Sequence, residues 1–212
     1  MGLLLGIDLG TSYFKLGLFD TDLRLRGLGR QPVPVAGPPP RQEVAVDAFW
    51  RTLRRGLDEA LAAAGASAGD IGALSWSSQA NSFLLLDGAD TPLTPFLLWT
   101  DARQSVLPEP LRQLNNHPDF LATTGIGTGL GTASAVSKLA WFQHESPACW
   151  SRAARVLTLA DYLAWSLTGR WCGDAGTASL LGLMDQRRLV WWPEALSAAG
   201  LREDLLVTPL RP

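Results

Sequence analysis

The chain opens on two apolar runs that are separated by only three residues. Residues 3–9 and 13–19 are the runs, and Gly10-Thr11-Ser12 stands between them. Two apolar runs joined by so short a break predict a β-hairpin. A third strand is indicated by four apolar residues interrupted by Gly and Pro, namely Leu23, Leu25, Val33 and Val35. The chain is therefore expected to begin with an antiparallel meander of three strands.

An amphipathic helix is expected after the meander. Four apolar residues recur at four-residue spacing, namely Phe49, Leu53, Leu57 and Leu61. Asp47 precedes this run as a candidate N-cap, and Gly65 follows it, which is typical of a helix end. Gly56 lies inside the helix and costs about 1 kcal/mol relative to Ala, so close packing is expected to explain it.

The rest of the chain mixes strands with helices. Residues 71–76 predict a buried strand, and residues 82–86 and 95–99 predict a second hairpin around the turn 87–92. Helices are predicted at residues 135–144, 159–167 and 193–199, with Gly169 and Gly200 after the last two, and stretches 104–134 and 170–190 are rich in loops. This order predicts an α/β fold with a mixed sheet, flanked by helices, rather than an all-parallel sheet.

Composition excludes several classes of protein. The 212 residues allow one large domain or two small ones, at about 150 residues per domain. A net charge of −2 gives no electrostatic reason to expect a nucleic-acid partner. No apolar run approaches the ~20 residues of a membrane helix. Cys149 and Cys172 suggest neither a metal site nor a disulfide framework, so a reduced, cytoplasmic protein is expected. His117 and His144 lack metal-ligand neighbours.

The first candidate site lies at the hairpin turn. Asp8 comes near the end of a buried strand, and Gly10, Thr11 and Ser12 follow, whose backbone N–H groups can cradle an anion. A carboxylate 4 Å from a phosphate charge is repelled by about 4 kcal/mol, so this reading requires a bridging Mg²⁺, held through water. The alternative is a plain hairpin in which turn amides satisfy Asp8. Lys15 either reaches a phosphate or is a solvated strand residue.

The second candidate site is the polar cluster at residues 77–82. Gln79 and Asn81 carry side-chain amides, which donate and accept together and so suit the hydroxyl groups of a sugar. The alternative is a loop whose polar side chains satisfy one another.

The third candidate site directly follows an apolar strand. The Trp99 ring can pack on a sugar, Asp101 can accept from hydroxyl groups, and Arg103 can hold Asp101 or a substrate oxygen. The alternative makes Asp101 the N-cap of a helix and places Trp99 in the core.

Together these segments resemble the N-terminal domain of the FGGY carbohydrate kinases, particularly the xylulokinase-like branch. The opening GIDLGTSYFKLGLFD is similar to the phosphate-contacting hairpin of the wider actin-like ATPase superfamily. SSQANSFLLLDGADTPLTPFLLWTDAR resembles the sugar loop, hairpin and W-x-D-x-R stretch of the family. SKLAWF, DYLAWSLTG and GDAGTASLLGLMD extend the resemblance over roughly residues 3–206.

The resemblance implies a ribonuclease-H-like domain that takes part in ATP-dependent phosphorylation of a sugar or polyol hydroxyl. It implies that Asp8 is the Mg²⁺-associated aspartate of an ATP site. The positions it implies for the phosphate hairpin are Gly10, Thr11 and Ser12, and those for the sugar pocket are Gln79, Asn81, Trp99 and Asp101.

The chain departs from the family pattern in two places. Ala80-Asn81 stands where xylulokinases usually carry Met-His, so the sugar is left open. No candidate is found for the general-base aspartate, and the ATP-binding C-terminal domain is expected outside this sequence. Residues 1–212 are therefore expected to be an N-terminal sugar-binding domain, incomplete at its C-terminus and inactive alone.

The expected partner is a small-molecule sugar or polyol, without nucleic acid or membrane. A homodimer is a further candidate, because a divided domain would leave apolar surface to cover. Two other functions stay open. One is a non-catalytic sugar- or nucleotide-sensing domain or degenerate kinase. The other is a chaperone-like ATPase, against which the W-x-D-x-R and D-Y-L…L-T-G stretches speak.

Overall fold

The computed structural model describes residues 2–210, so Met1, Arg211 and Pro212, at the ends of the expected 1–212 domain, lie outside the described residues. The strands are β1 (Leu3–Leu9), β2 (Tyr13–Phe19), β3 (Leu25–Pro32), β4 (Glu43–Val44), β5 (Ile71–Ser78), β6 (Phe83–Leu86), β7 (Phe96–Leu97), β8 (Arg155–Thr158), β9 (Gly173–Asp174), β10 (Met184–Asp185), β11 (Val190–Trp191) and β12 (Pro209–Leu210). The α-helices are α1 (Val46–Ala64), α2 (Glu109–Asn115), α3 (Phe120–Thr124), α4 (Ala135–Glu145), α5 (Pro147–Trp150), α6 (Leu159–Thr168), α7 (Ala175–Ser179) and α8 (Pro193–Ala199). Short 3₁₀ helices cover Ala68–Asp70 and Glu203–Leu205.

The chain divides into two compact units. The first holds the residues up to Ala36 together with Val44–Gln79, and the second holds Gly37–Glu43 and the residues from Ala80 onward. The sheet of the first unit has the order β3-β2-β1-β5. Its β1–β2 and β2–β3 pairs are antiparallel, whereas β1 and β5 run parallel. The mixed sheet, the opening meander and the α/β fold class are therefore confirmed.

The third strand of the meander is shorter than its apolar residues predict. β3 spans Leu25–Pro32 and pairs with β2 throughout. Leu23 precedes it in a turn with a backbone φ of +60°, and Val33 follows it. The N–H of Val33 donates to the carbonyl oxygen of Ser12, 3.1 Å away, so it extends the contact beyond the strand.

Helix α1 packs on β2 and β3, and glycines on both the helix and β3 allow its close approach. A Cβ placed on Gly29 of β3 would lie 1.8 Å from the carbonyl oxygen of Gly56, which shows that the two backbones touch. Packing thus accounts for Gly56, as expected. The N-cap prediction is wrong, because Ala45 is the N-cap and Asp47 lies in the first turn. Gly65 ends the helix in the left-handed conformation.

Strand β5 is more exposed than predicted. Most of its residues are exposed, including Leu74, so the expectation of a buried strand is wrong. The physical reason is its place at the edge of the sheet, where β1 is its neighbour. Helix α1, which buries β2 and β3, makes its contacts at the other side of the sheet order.

The second unit holds the predicted second hairpin and the larger core. Its sheet has the order β4-β7-β6-β8, in which β6 pairs antiparallel with β7 and with β8. Strand β8 was not predicted. The predicted helices correspond to α4, α6 and α8, and Gly169 and Gly200 end the last two in the left-handed conformation. The short helices α2, α3 and α7 lie in the stretches that the sequence left as loop-rich.

Two indole rings of the second unit stack on each other. Trp165 of α6 and Trp171 lie with ring centroids 4.8 Å apart and planes 8° from parallel. The guanidinium of Arg155 lies over the Trp171 ring, 4.1 Å from its centroid. Within residues 2–210, no helix is both long and apolar enough to cross a membrane.

Candidate functional site

The first hairpin divides its side chains between a buried face and an exposed face. Leu5, Ile7 and Leu9 of β1 are buried, and the alternation of a strand turns Asp8 to the other face. Asp8 lies opposite Lys15 in the strand register. The Lys15 ammonium donates to Asp8 Oδ2 at 3.0 Å, and both side chains are about half exposed, at 48% and 46%. An ion pair this exposed contributes at most about 1 kcal/mol, so these charges are available to a ligand at little cost.

The alternative interpretation of Asp8, a carboxylate satisfied by turn amides, does not match this hairpin. Its hydrogen-bond partner is the side chain of Lys15. Thr11 and Ser12 are exposed at the turn. Gly10 leaves no room for a side chain, because a Cβ there would lie 2.9 Å from the carbonyl oxygen of Tyr13. The same Cβ would lie 3.7 Å from both carboxylate oxygens of Asp8, so the turn backbone and the carboxylate are adjacent.

Gln79 braces this turn from the end of β5. Its side-chain amide nitrogen Nε2 donates to the carbonyl oxygen of Gly10 at 3.0 Å, and its backbone N–H donates to that of Leu9 at 3.0 Å. Gln79 was predicted in the sugar pocket. The structure shows it supporting the first hairpin of the same unit, and its contact with a sugar stays a prediction.

The hairpin fits a magnesium ion that arrives with a phosphate ligand. No cluster of three or more His, Cys, Asp or Glu residues in the described part of the chain is placed to hold a metal by itself. Mg²⁺ does not need one, because it usually binds through one or two carboxylates, substrate phosphates and water. Asp8, exposed beside the glycine turn, is a carboxylate of this kind.

Asn81 holds the start of helix α4. Its backbone lies in the left-handed region, with a φ of +58°, which Asn tolerates better than most residues. Its Oδ1 accepts a hydrogen bond from the backbone N–H of Ala135 at 3.0 Å, although Ser134 is the N-cap. The side-chain amide therefore satisfies one of the first N–H groups of the helix from 54 residues away.

Trp99 presents its ring to the surface. The residue is 43% exposed, so the alternative that placed it in the core is wrong. Its backbone N–H donates to Ser82 Oγ at 2.9 Å, which fixes the main chain where β7 has ended. A fixed indole with an exposed face can pack on the C–H surface of a sugar.

Asp101 and Arg103 form a buried ion pair below this surface. Asp101 is 0% exposed and accepts from the Arg103 side chain at 2.8 and 2.9 Å and from the Gln42 N–H at 2.8 Å. Arg103 also binds Glu43 and lies over the Trp141 ring. Burial alone would raise the pKa of Asp101, but the hydrogen bonds from Arg103 and Gln42 hold it below its usual value.

The geometry of this pair shows which partner Arg103 holds and whether Asp101 caps a helix. Arg103 holds Asp101, and the N-cap interpretation of Asp101 is wrong, because the next helix begins only at Glu109. The pair shapes the turn that carries Trp99. Direct contact of Asp101 or Arg103 with a sugar stays a prediction, and the geometry supports it less than for Trp99, because the carboxylate oxygens are already occupied.

One buried charge near this turn was missed in the sequence. Lys138 of α4 is 0% exposed, and its Nζ donates to the carbonyl oxygens of Leu98 at 2.9 Å and Trp99 at 3.2 Å. Burial lowers the pKa of Lys138 to about 8, although the negative charge of Asp101 acts in the opposite direction. The signal was present, because the lysine stands inside the otherwise apolar run of SKLAWF.

The predicted site residues fall into two groups, one in each unit. The first unit carries Asp8, Gly10, Thr11, Ser12, Lys15 and Gln79, and the second carries Asn81, Trp99, Asp101 and Arg103. His144 is exposed in the last turn of α4, and His117 packs against Trp192, so neither histidine joins these groups.

Known proteins share this fold. A xyloylose kinase from Brucella ovis superposes with a TM-score of 0.83 at 27% identity, over 98% of this chain and 42% of that one. A gluconate kinase from Lactobacillus acidophilus superposes with a TM-score of 0.86 at 21% identity, over 100% of this chain and 42% of that one. The fold is thus the ribonuclease-H-like fold of the actin-like ATPases, as expected.

Sequence comparison gives the family. An autoinducer-2 kinase from Yersinia pseudotuberculosis serotype O:3 (strain YPIII) is 27% identical over 210 residues, 96% of this chain and 39% of that protein. A gluconokinase from Bacillus subtilis (strain 168) is 31% identical over 134 residues, 63% of this chain and 26% of that protein. Residues 3–212 match the model for the N-terminal domain of the FGGY carbohydrate kinases, and the chain belongs to this family. It spans less than half the length of these relatives.

Proposed function

We propose that this chain supplies the phosphate hairpin and the sugar pocket of an ATP-dependent carbohydrate kinase, which phosphorylates a hydroxyl of a sugar or polyol. The observation that carries the proposal is the exposed Asp8 carboxylate beside a turn that only glycine fits, in a chain of this family. The names of the relatives place xyloylose, gluconate and autoinducer-2 among the substrates of similar proteins, and the sugar is left open within that range.

The hairpin residues are proposed to bind ATP. The turn of Gly10, Thr11 and Ser12 is proposed to present backbone N–H groups to the phosphate oxygens, and Lys15 a positive charge. Asp8 is proposed to hold Mg²⁺ through water. When bound, Mg²⁺ neutralises the negative charge of the phosphates, which otherwise repel the carboxylate. Gln79 keeps the turn in shape through its hydrogen bond to Gly10.

The residues of the second unit are proposed to bind the sugar. Trp99 offers an exposed indole face, and Asn81 offers the two Nδ2 donors that remain while its Oδ1 binds Ala135. Asp101 and Arg103 are proposed to keep Trp99 in place rather than to change protonation state. Orientation of the sugar hydroxyl is the main contribution that such residues make to phosphoryl transfer.

The remaining parts of the reaction are proposed to come from elsewhere in the protein. Phosphoryl transfer needs a carboxylate that takes the hydroxyl proton, and we assign this base and the adenine site to the portion of the relatives that the chain does not span. We also propose a cytoplasmic location, where ATP and sugars meet, and a homodimer as a candidate assembly. The chain by itself is then expected to be an inefficient enzyme.

The test is an ADP-release assay with a panel of aldoses, ketoses, polyols and sugar acids. It is run on the 212-residue chain and, where the gene encodes a longer product, on that product. At least one sugar should release ADP with the longer product, whereas the chain alone should fall well below the ~1–100 s⁻¹ of typical kinases. Asp8→Asn should reduce the rate about 100-fold or more, and Asp22→Asn, a change to an exposed acid outside the hairpin turn, should not.

Two results would overturn the proposal. One is calorimetric binding of a sugar without ADP release by the longer product, which would identify a non-catalytic sensing domain or a degenerate kinase. The other is an unchanged rate for Asp8→Asn with an unchanged circular dichroism spectrum, which would remove Asp8 from the ATP site.

A further inference from the structure

Helix α4 buries a lysine at a position where an apolar residue would pack at a lower cost in free energy. Val136, Leu139 and Ala140 of the same helix are buried in the core, and Lys138 is 0% exposed among them. Transfer of an ammonium group from water to such a position is costly, and an apolar residue of similar volume is often equally stable or more stable there. The cost indicates that the charge at this position does something besides filling space.

The Lys138 ammonium donates hydrogen bonds to the main chain of two consecutive residues. Strand β7 ends at Leu97, and the next two carbonyl oxygens, those of Leu98 and Trp99, accept from Nζ at 2.9 and 3.2 Å. Trp99 is therefore fixed at both ends of its backbone, because its N–H donates to Ser82 Oγ. The Trp99 residue is nevertheless 43% exposed, so the clamp holds the main chain of a residue that reaches the surface.

The same helix turn also holds Asn81. The N–H of Ala135, three residues before Lys138, donates to Asn81 Oδ1 at 3.0 Å. The first turn of α4 therefore binds Asn81 of the polar cluster at residues 77–82 and Trp99 of the stretch 99–103. A shift of this turn would move the amide of Asn81 and the main chain of Trp99 together.

The charges around Lys138 suit a fixed ammonium. Asp101 supports its positive charge and Arg103 opposes it. Arg103 is itself paired with Asp101 and Glu43, so its opposition is weakened. Arg103 is the one of these charged groups that carries donors, and its donors bind Asp101 and Glu43.

We propose that Lys138 is a positioning residue of the sugar site, which clamps the backbone of Trp99 and fixes the spacing between the Trp99 ring and the Asn81 amide. This inference rests on the proposed function, because it assigns both side chains to the sugar. Lys138 itself touches no substrate. Its contribution is to the choice among sugars, since the spacing of a ring and an amide selects the shape that fits both.

The test compares Lys138→Met with Leu139→Met in the full 212-residue chain. Both variants place a methionine in the buried face of α4, but only the first removes the donors to Leu98 and Trp99. Three quantities are measured for each: the free energy of unfolding in urea, the hydrogen exchange of the amides at residues 98–100, and the calorimetric affinity for a sugar panel and for Mg²⁺-ATP.

The expected result separates positioning from stability. Lys138→Met should speed hydrogen exchange at residues 98–100. It should lower the affinity for the best-bound sugar by about tenfold or more, and tenfold equals about 1.4 kcal/mol. It should change the ranking of the sugars and leave the Mg²⁺-ATP affinity within about twofold. Leu139→Met should leave exchange at these residues and the sugar ranking as in the wild type, whatever its stability.

The opposite results overturn the inference. Unchanged exchange at residues 98–100, or an unchanged sugar ranking in a folded Lys138→Met chain, shows that Lys138 is only structural. If that variant does not fold, Lys138→Gln, which keeps an amide donor, is judged by the same criteria. If the wild type binds no sugar at all, the proposed function fails, and the exchange at residues 98–100 alone then decides whether the clamp exists.

Discussion

Gly29 and Gly56 bring a strand and a helix into direct backbone contact. A Cβ on Gly29 would lie 1.8 Å from the carbonyl oxygen of Gly56, and one on Gly56 would lie 2.6 Å from Leu16 Cδ1. A methyl group on Gly29 would meet the backbone of Gly56 and so requires α1 to move off the sheet, whereas one on Gly56 would meet the end of the Leu16 side chain. The contact therefore sets how closely α1 covers the meander whose first strand carries Asp8.

Gly29→Ala should consequently destabilise the first unit. We expect a loss of about 3 kcal/mol in the free energy of unfolding, because the added atom meets backbone rather than a flexible side chain. Gly88→Ala is the matched control, since no atom lies within 4 Å of a Cβ built there. Urea unfolding followed by circular dichroism measures both. Equal stability of the two variants would show that α1 can retreat without cost.

The two roles of Asn81 can be separated by two substitutions. Asn81→Asp keeps an acceptor for the N–H of Ala135, and a negative charge at a helix N-terminus is favourable, so stability should change by less than about 1 kcal/mol. Asn81→Ala loses this acceptor and must hold a φ of +58°, so it should cost about 2–3 kcal/mol. Both changes remove the Nδ2 donors.

Sugar binding should therefore fall in both Asn81 variants, although only one of them loses stability. Calorimetric titration with a sugar panel, alongside urea unfolding, checks this expectation. Wild-type sugar affinity in Asn81→Asp would remove Asn81 from the pocket and leave it the structural role at α4.

Gln79 gives a prediction that distinguishes the hairpin from the sugar pocket. Gln79→Leu removes the hydrogen bond to the carbonyl oxygen of Gly10 and should cost about 0.5–1.5 kcal/mol. If the main role of Gln79 is to brace the turn, the affinity for Mg²⁺-ATP should fall more than the affinity for sugar. Ser75→Ala, at an exposed position of the same strand outside the polar cluster 77–82, is the control. A larger effect on sugar would instead support the sequence-based assignment.

Asp161 should make stability depend on pH. Its burial in α6 raises its pKa to about 6 from the ordinary 3.8, and hydrogen bonds from Thr158 only partly oppose this. Because the folded state favours the protonated form, this contribution to stability is present below about pH 4 and is lost as the pH rises through 6. The loss is on the order of 3 kcal/mol.

Asp161→Asn removes the titrating group and keeps an oxygen that can accept from Thr158. The variant should gain stability relative to the wild type as the pH rises from about 4 to about 7. Urea unfolding at several pH values measures this difference, and Asp204→Asn, at an exposed position, should show none. A constant difference between Asp161→Asn and the wild type across this range would contradict the raised pKa.

Local patterns in the sequence predicted about half of the strands and helices, including the three longest helices, α1, α4 and α6. The break at Gly10 and the glycines at Gly65, Gly169 and Gly200 mark real turns and helix ends, because these signals depend on neighbouring residues only. The exposure of β5 was not predictable in this way. An apolar run such as residues 71–76 has the same pattern in the centre of a sheet as at its edge. The strands and helices that determine its exposure are distant in sequence.

The candidate site shows the same division. The pairing of Arg103 with Asp101 was among the stated alternatives, since the two stand two residues apart. Glu43, which completes the pair, comes 60 residues earlier than Arg103, and no pattern links them. The role of Lys138 likewise depends on carbonyl oxygens about 40 residues away, which carry no signal in a sequence because every residue has one.

The stacked indoles of Trp165 and Trp171 have a spectroscopic consequence. Rings 4.8 Å apart and nearly parallel share their excited states, so this pair should add a couplet to the ultraviolet circular dichroism and emit weakly. Both rings belong to the second unit. Loss of the couplet would thus report the melting of the second unit alone, and an optical experiment could time it against the first unit without any attached dye.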